Sequence, residues 1–192
     1  MAHNGKLILV VGPSGSGKGT LVAHLRALHP EFVHPVSCTT RAMRPGEVEG
    51  REYYFVSVDA FKKRIEENYF LEWAQYGGNY YGSPKETILK DLRDGSVIVN
   101  DIEVQGARQI KALLPKEQLT IIFIDAGPWE ILERRILARA PMSDEELEKR
   151  HTRFDDEMTF KSEADFVVQN LEGEVERAKT DIARIIDSFL LP

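Results

Sequence analysis

Apolar residues fall along this chain in two rhythms, one of short continuous runs and one of helical spacing. Lys6–Val11 is nearly all apolar and stops at a glycine-rich turn, after which Leu21, Leu25 and Leu28 recur at helical spacing until Pro30. That order predicts a strand, a loop and a helix. Val97–Val99 and Leu119–Ile124 are short, rich in β-branched residues and nearly all apolar, as strands covered on both faces are. Helical patterns follow each of them, over Glu103–Leu114 and over Pro128–Ala138, with Pro128 suited to a first helical turn. Asp165–Gln169 reads as a further strand and Glu174–Leu190 as an amphipathic closing helix. Strands alternating with helices predict an α/β fold with a parallel sheet flanked by helices.

Two stretches break the alternation. Between Val36 and Ser83 the chain carries short aromatic segments, five glycines (Gly46, Gly50, Gly77, Gly78 and Gly82) and one helical piece near Asp59–Glu67, which predicts a small β-rich insert. Arg134–Arg150 is rich in charge around the break Ala140-Pro141-Met142-Ser143, and Ser143 followed by Glu146 is a capping-box pattern for a new helix. This second stretch is expected to form a helical lid. The expected organisation is therefore a core of residues 1–35, 84–133 and 151–192, an insert of residues 36–83 and a lid of residues 134–150, within one compact unit.

Composition narrows the setting. A chain of 192 residues with 42% hydrophobic content suits one well-packed domain with appended lobes. Its apolar runs fall well short of the roughly 20 residues a membrane span needs, and no apolar signal block opens the chain, so a cytoplasmic protein with no membrane partner is expected. The single cysteine, Cys38, has no intrachain partner, and the five histidines lack metal-ligand spacing. A net charge of −6 argues against a nucleic-acid partner while leaving room for local arginine clusters that grip small phosphates.

The strongest chemical signal is Gly12-Pro13-Ser14-Gly15-Ser16-Gly17-Lys18-Gly19-Thr20, which follows a predicted strand and opens a predicted helix. Its glycines let backbone N–H groups curl around phosphate oxygens, the helix N-terminus adds partial positive charge, and Lys18 can bridge the β- and γ-phosphates of ATP. The place after the lysine, where Ser or Thr commonly meets Mg²⁺, holds Gly19, with Thr20 one residue on. The Gly-Lys-Gly-Thr form resembles that of adenylate kinases and some guanylate kinases and implies Mg²⁺ held partly through water. Asp101, just after Val97–Val99 and Asn100, stands where P-loop enzymes carry a carboxylate directed toward metal and phosphates. A phosphate loop alone leaves ATPase, GTPase, kinase and transporter-motor readings open.

The acceptor must be read elsewhere. Arg41 and Arg44 set two planar, permanently charged forks three residues apart, a pattern that suits a dianionic monophosphate. Downstream, Leu71-Glu72-Trp73-Ala74 and Asn79-Tyr80-Tyr81-Gly82-Ser83 offer a carboxylate, phenols and a serine. Guanine presents two adjacent donors, N1–H and the 2-amino group, which an ionised Glu72 can accept while hydroxyls donate to O6.

Ser37-Cys38-Thr39-Thr40-Arg41-Ala42-Met43-Arg44-Pro45-Gly46-Glu47, Glu72-Trp73-Ala74, Asn79-Tyr80-Tyr81-Gly82-Ser83 and Asp101-Ile102-Glu103-Val104-Gln105-Gly106-Ala107 stand in the order found in guanylate kinases, and nearly the whole chain resembles that family. The resemblance implies a P-loop kinase fold with a GMP-binding insert and a lid, and transfer of a phosphoryl group from ATP to GMP with Mg²⁺. It implies that Arg41, Arg44, Tyr53 and Tyr81 hold the GMP phosphate, and that Ser37, Glu72, Ser83 and Glu103 surround guanine. Arg135, Arg139 and Arg150 of the lid would reach the phosphates, Asp101 would orient Arg41, and Asn170 would lie beside the adenine of ATP. Glu103 replaces the family's usual aspartate, and Leu137-Ala138-Arg139-Ala140-Pro141 replaces its Arg-Gly-Arg-Gly lid. Two rivals are a non-catalytic guanylate-kinase-like module that binds phosphorylated protein, which would not need the intact Gly12–Thr20 loop, and a P-loop kinase of phosphorylated sugars, which would not need Glu72 with Ser83.

Overall fold

The computed structural model describes residues 5–139 and 142–190, so Ala140 and Pro141 of the expected lid break lie outside the described residues. The chain forms two compact units. One comprises the residues up to Ile8 with Glu31–Asn100 and Gln105–Leu119, and the other comprises Leu9–Pro30, Asp101–Val104 and the chain from Thr120 onward.

The apolar runs become strands: β1 (Lys6–Val11), β6 (Val97–Asp101), β7 (Leu119–Asp125) and β8 (Phe166–Gln169), in a four-stranded parallel sheet of order β6-β1-β7-β8. All seven residues of β7 are buried, which is why its sequence shows no alternation. Helices α1 (Lys18–Leu28), α4 (Val104–Leu113), α5 (Trp129–Arg139), α6 (Asp144–Thr159) and α7 (Val175–Leu190) accompany this sheet. Helix α1 buries Leu21, Val22 and Leu25 and packs against α7, whose Ala178, Ile182 and Ile186 line up four residues apart as its buried stripe. Pro128 stands just before α5, and its carbonyl accepts from Ile131 N at 3.1 Å.

The insert is a second sheet, of order β3-β2-β5-β4, made from β2 (Ser37–Thr39), β3 (Tyr53–Phe55), β4 (Phe70–Tyr76) and β5 (Asn79–Pro84). Strands β4 and β5 form a hairpin turned at Gly77-Gly78, whose positive φ values of 55° and 77° are those glycine adopts without strain. Helix α2 (Val58–Glu66), capped by Ser57 accepting from Ala60 N, supplies Phe61 to a small core with Cys38 and Phe70. The Phe61 and Phe70 rings stack with centroids 4.4 Å apart. Gly82 makes this stacking possible, because a Cβ there would stand 2.8 Å from Phe70 Cδ1 and 3.0 Å from Phe61 Cζ. Helix α3 (Lys85–Arg93), which buries Ile88 and Leu92, continues directly from β5.

Candidate active site

The phosphate loop sits in the second unit, at the end of β1. Gly12, Gly15 and Gly17 all take positive φ, and Gly17 is the N-cap of α1 at φ 95°, so the turn relies on backbone geometry instead of a side-chain cap. A Cβ at Gly12 would stand 2.6 Å from the Ile124 carbonyl oxygen, and one at Gly17 would overlap Asn170 Nδ2. The loop and the ends of β7 and β8 therefore fit only with glycine at these places. Lys18 Nζ donates to the Gly12 carbonyl at 2.6 Å and to the Pro13 carbonyl at 3.2 Å, which holds the ammonium over the loop. Ser16 N donates back to the Pro13 carbonyl at 3.1 Å, closing the turn. The Ser16 hydroxyl is buried and has no hydrogen-bond partner. Gly19 and Thr20 are exposed in the first turn of α1.

Several residues expected from the sequence converge on this loop. Arg150 of α6 donates to Ser14 Oγ at 2.6 Å. Asn170, buried just after β8, donates through Nδ2 to the Ser16 carbonyl at 2.7 Å, while its own carbonyl accepts from Arg135 of α5 at 2.9 Å. Arg139 does not join this network; it is exposed at the end of α5. Arg134 faces solvent in an ion pair with Glu172. The expected helix cap is present, since Ser143 Oγ accepts from Glu146 N at 3.3 Å. Asp101 is exposed at the end of β6, and Glu103 follows before α4.

Glu103 has an unexpected companion. Glu157 of α6 is buried, and its carboxyl is pushed up to about 7, first by burial and then by the Glu103 carboxylate, with Lys18 and Arg153 pulling it down. Glu103 Oε2 is itself buried without a hydrogen-bond partner. Residue 157 lies in a charge-rich helix whose sequence gives no sign that one glutamate faces inward.

The acceptor candidates gather on the insert sheet in the first unit. Pairing of β4 with β5 sets Glu72 opposite Ser83, and pairing of β2 with β5 sets Cys38 opposite Gly82, one residue from each of Ser37 and Ser83. Ser83 Oγ donates to Glu72 Oε1 at 2.6 Å and lies 3.2 Å from Ser37 Oγ, so three expected residues form one hydrogen-bonded string. Asn100 Nδ2 adds a donor to Ser83 Oγ at 3.3 Å, a member the sequence reading did not include. Glu72 is only 5% exposed and Ser83 is fully buried, so their polar groups are held in a dry, low-dielectric place where pairing matters.

Arg41, Tyr53 and Tyr81 form a second cluster on the same sheet. The Arg41 fork is bidentate on Glu47, at 3.0 and 2.7 Å, and the guanidinium carbon lies 5.5 Å from the Tyr53 ring centroid. Tyr53 and Tyr81 meet edge to face with centroids 6.0 Å apart. Arg44 gives its backbone N–H to Glu47 Oε2 at 2.7 Å, while its residue remains exposed. Glu47 thus orients Arg41, and the Arg41 guanidinium holds the Glu47 carboxyl below the usual carboxylate range.

Among the described residues no group of three or more His, Cys, Asp or Glu is placed to hold a metal ion, and no helix is long and apolar enough to cross a membrane.

A parallel sheet with a glycine loop leading from β1 into α1, and a lysine held over that loop, define an α/β P-loop kinase. The family model for guanylate kinase matches residues 4–189. A guanylate kinase of Trichormus variabilis is 43% identical over 180 residues, spanning 94% of this chain and 89% of that protein. A guanylate kinase of Trichodesmium erythraeum is 40% identical over 187 residues, spanning 97% of this chain and 98% of that protein. The crystal structure of guanylate kinase from Anaplasma phagocytophilum superposes with a TM-score of 0.75 at 25% identity, covering all of this chain and 89% of that one. The chain belongs to the guanylate kinase family of nucleoside-monophosphate kinases, and its activity is that of a guanylate kinase.

Proposed function

We propose that the chain moves the γ-phosphoryl group of ATP onto GMP or dGMP, giving ADP and the nucleoside diphosphate, in cytoplasmic purine nucleotide metabolism. The observation that carries the acceptor reading is the Glu72–Ser83–Ser37 string on the second sheet, with Glu72 and Ser83 buried and with Arg41, Tyr53 and Tyr81 clustered on the same unit. A carboxylate there can accept from guanine N1–H and the 2-amino group, and a serine hydroxyl turned from its partner in the string can donate to O6. Arg41, Arg44, Tyr53 and Tyr81 bind the acceptor phosphate, and Glu103 serves the purine. Residues 36–83 act as the GMP-binding insert, 134–150 as the lid, and 1–35, 84–133 and 151–192 as the core.

Loop amides of Gly12–Thr20 cradle the ATP phosphates, Lys18 bridges the β- and γ-phosphates, and Asn170 lies by the adenine. In the transfer step a GMP phosphate oxygen attacks the γ-phosphorus in line, the bond to the β-phosphate oxygen breaks, and ADP carries the charge away. Lys18, Arg135, Arg139 and Arg150 neutralise charge on the equatorial oxygens, so positioning and electrostatics suffice without a covalent intermediate or a general base. The nearby protein donors suited to Mg²⁺ are hard oxygens, the exposed Thr20 hydroxyl and the exposed Asp101 carboxylate, and they fit an ion that keeps several waters. Thr20 and Asp101 would hold it, in part through water, and its chemistry would be to neutralise phosphate charge.

The test is ADP release from ATP and Mg²⁺ across GMP, dGMP, AMP, CMP, UMP and a sugar phosphate. GMP and dGMP should be the efficient acceptors. Turnover confined to the sugar phosphate, or none with any acceptor, would overturn the reading.

A further inference from the structure

Helix α4 meets β4 at the residue proposed to read guanine and at the residue after it. Gly106 faces the Glu72 side chain so closely that a Cβ there would overlap Glu72 Oε2 and stand 3.0 Å from Cδ and 3.4 Å from Cγ. Those three Glu72 atoms are the nearest to that Cβ position, so Gly106 is where α4 leaves room for the carboxylate. One turn along the same helix face, Gln109 grips the backbone of the next residue: its Oε1 accepts from Trp73 N at 3.2 Å, and its Nε2 donates to the Trp73 carbonyl at 2.7 Å. Strand β4 is the edge of its sheet, so one row of its backbone groups has no neighbouring strand, and the Gln109 amide satisfies Trp73 on that side as another strand would. A third bond, from Gln109 Nε2 to the Gln105 carbonyl at 3.2 Å, ties this amide to its own helix. The pairing of β4 with β5 shifts register between Phe70 and Glu72, an irregularity of the kind that bends a strand and increases its local twist, and Gln109 holds the backbone just beyond it.

We propose that Gly106 and Gln109 are positioning residues for guanine selectivity: Gly106 sets how deep the Glu72 carboxylate lies, and Gln109 locks the β4 edge that carries it. This inference rests on Glu72 being the guanine acceptor. Neither residue need touch the substrate. A Cβ at position 106 meets the flexible end of Glu72 and no backbone atom among its nearest neighbours, so Gly106→Ala should leave the fold intact and move the carboxylate. Alanine also favours a helix over glycine by about 1 kcal/mol, which offsets the cost of displacing the buried carboxylate.

The experiment compares Gly106→Ala, Gln109→Ala, Glu72→Gln and the Gly106→Ala/Glu72→Gln double variant, with GMP and IMP as acceptors. IMP lacks the 2-amino donor, so the ratio of kcat/KM for GMP over IMP reads the Glu72 contact directly. Gly106→Ala should lower kcat/KM for GMP about tenfold or more through KM and shrink the GMP/IMP ratio, with the KM for ATP and the Tm retained. Gln109→Ala should shift the same two quantities in the same direction. Adding Gly106→Ala to Glu72→Gln should cost little further, because both act through one carboxylate. If Glu72→Gln keeps its GMP efficiency, the guanine assignment itself is wrong. If Glu72→Gln collapses while Gly106→Ala and Gln109→Ala keep wild-type GMP/IMP ratios, or if the double variant loses the product of the single effects, the positioning role is overturned and the assignment stands.

Discussion

Lys18 donates to the carbonyls of Gly12 and Pro13, which hold its ammonium over the loop. Lys18→Ala should fold normally and lose two or more decades of turnover, about 3 kcal/mol or more of transition-state stabilisation, as steady-state assay and circular dichroism together would show. Glu72→Gln keeps the volume but turns one acceptor into a donor that opposes a guanine donor. Its GMP efficiency should collapse while ATP binding is kept, and discrimination of roughly 10⁴ against AMP in the wild type should narrow. Isothermal titration with each nucleotide checks this. Arg41→Lys should lose GMP affinity because a point charge cannot match a bidentate fork. GMP kinetics unchanged from wild type would contradict that. Residues such as Lys18, Arg41, Glu72 and Ser83 were legible in the sequence because a distinctive chemical group stands in a distinctive local pattern. Asn100, Gln109 and Glu157 were not, since an amide or acid turned toward the protein has no local mark and its meaning comes from a partner distant in the chain.

Elements follow a similar division. Strands β1 and β7 are announced by runs of buried apolar residues, and α7 by its repeating stripe, so burial itself wrote their pattern. Helix α3 has a fainter signal, the Ile88/Leu92 pair bracketed by Pro84 and Gly95, too short a pattern to announce a helix by itself. Strands β2 and β3 are three residues each, too short for any period to appear. At this scale the capping of α6 is testable, because Ser143 Oγ accepts from Glu146 N at the start of the helix that brings Arg150 to Ser14. Ser143→Ala should weaken the first turn by about 1 kcal/mol. Faster amide exchange at Glu145–Leu147 with unchanged exchange in β7 is the expected result.

Over the whole molecule, pH reports Glu157, a buried acid of α6. The Glu157 carboxyl titrates near 7 in the fold against an ordinary carboxylate value in the unfolded chain, so the protonated form is favoured by folding. A group raised in this way contributes stability that is fully present below the unfolded value and is lost as pH rises through the folded one. Glu157→Gln should therefore match wild type in urea unfolding near pH 4 and exceed it above pH 7 by at most about 3 kcal/mol. Equal stability of the two proteins at pH 8 would show that the acid is ionised and paired in the fold.

The sequence by itself determined the class of fold, the glycine-rich loop between β1 and α1, the β-rich stretch that follows, and which charged and polar groups stand in them, because each is carried by local spacing or by a run of like residues. Tertiary structure alone decided which of those groups meet. Ser37, Ser83 and Glu72 become one hydrogen-bonded string only when two separate strands pair with β5 in a fixed register. Gly106 and Gln109 gain their meaning only when α4 lies against the edge of β4, more than thirty residues away in the chain. Register and helix placement are set by packing over the entire chain, and no short window of residues contains that information.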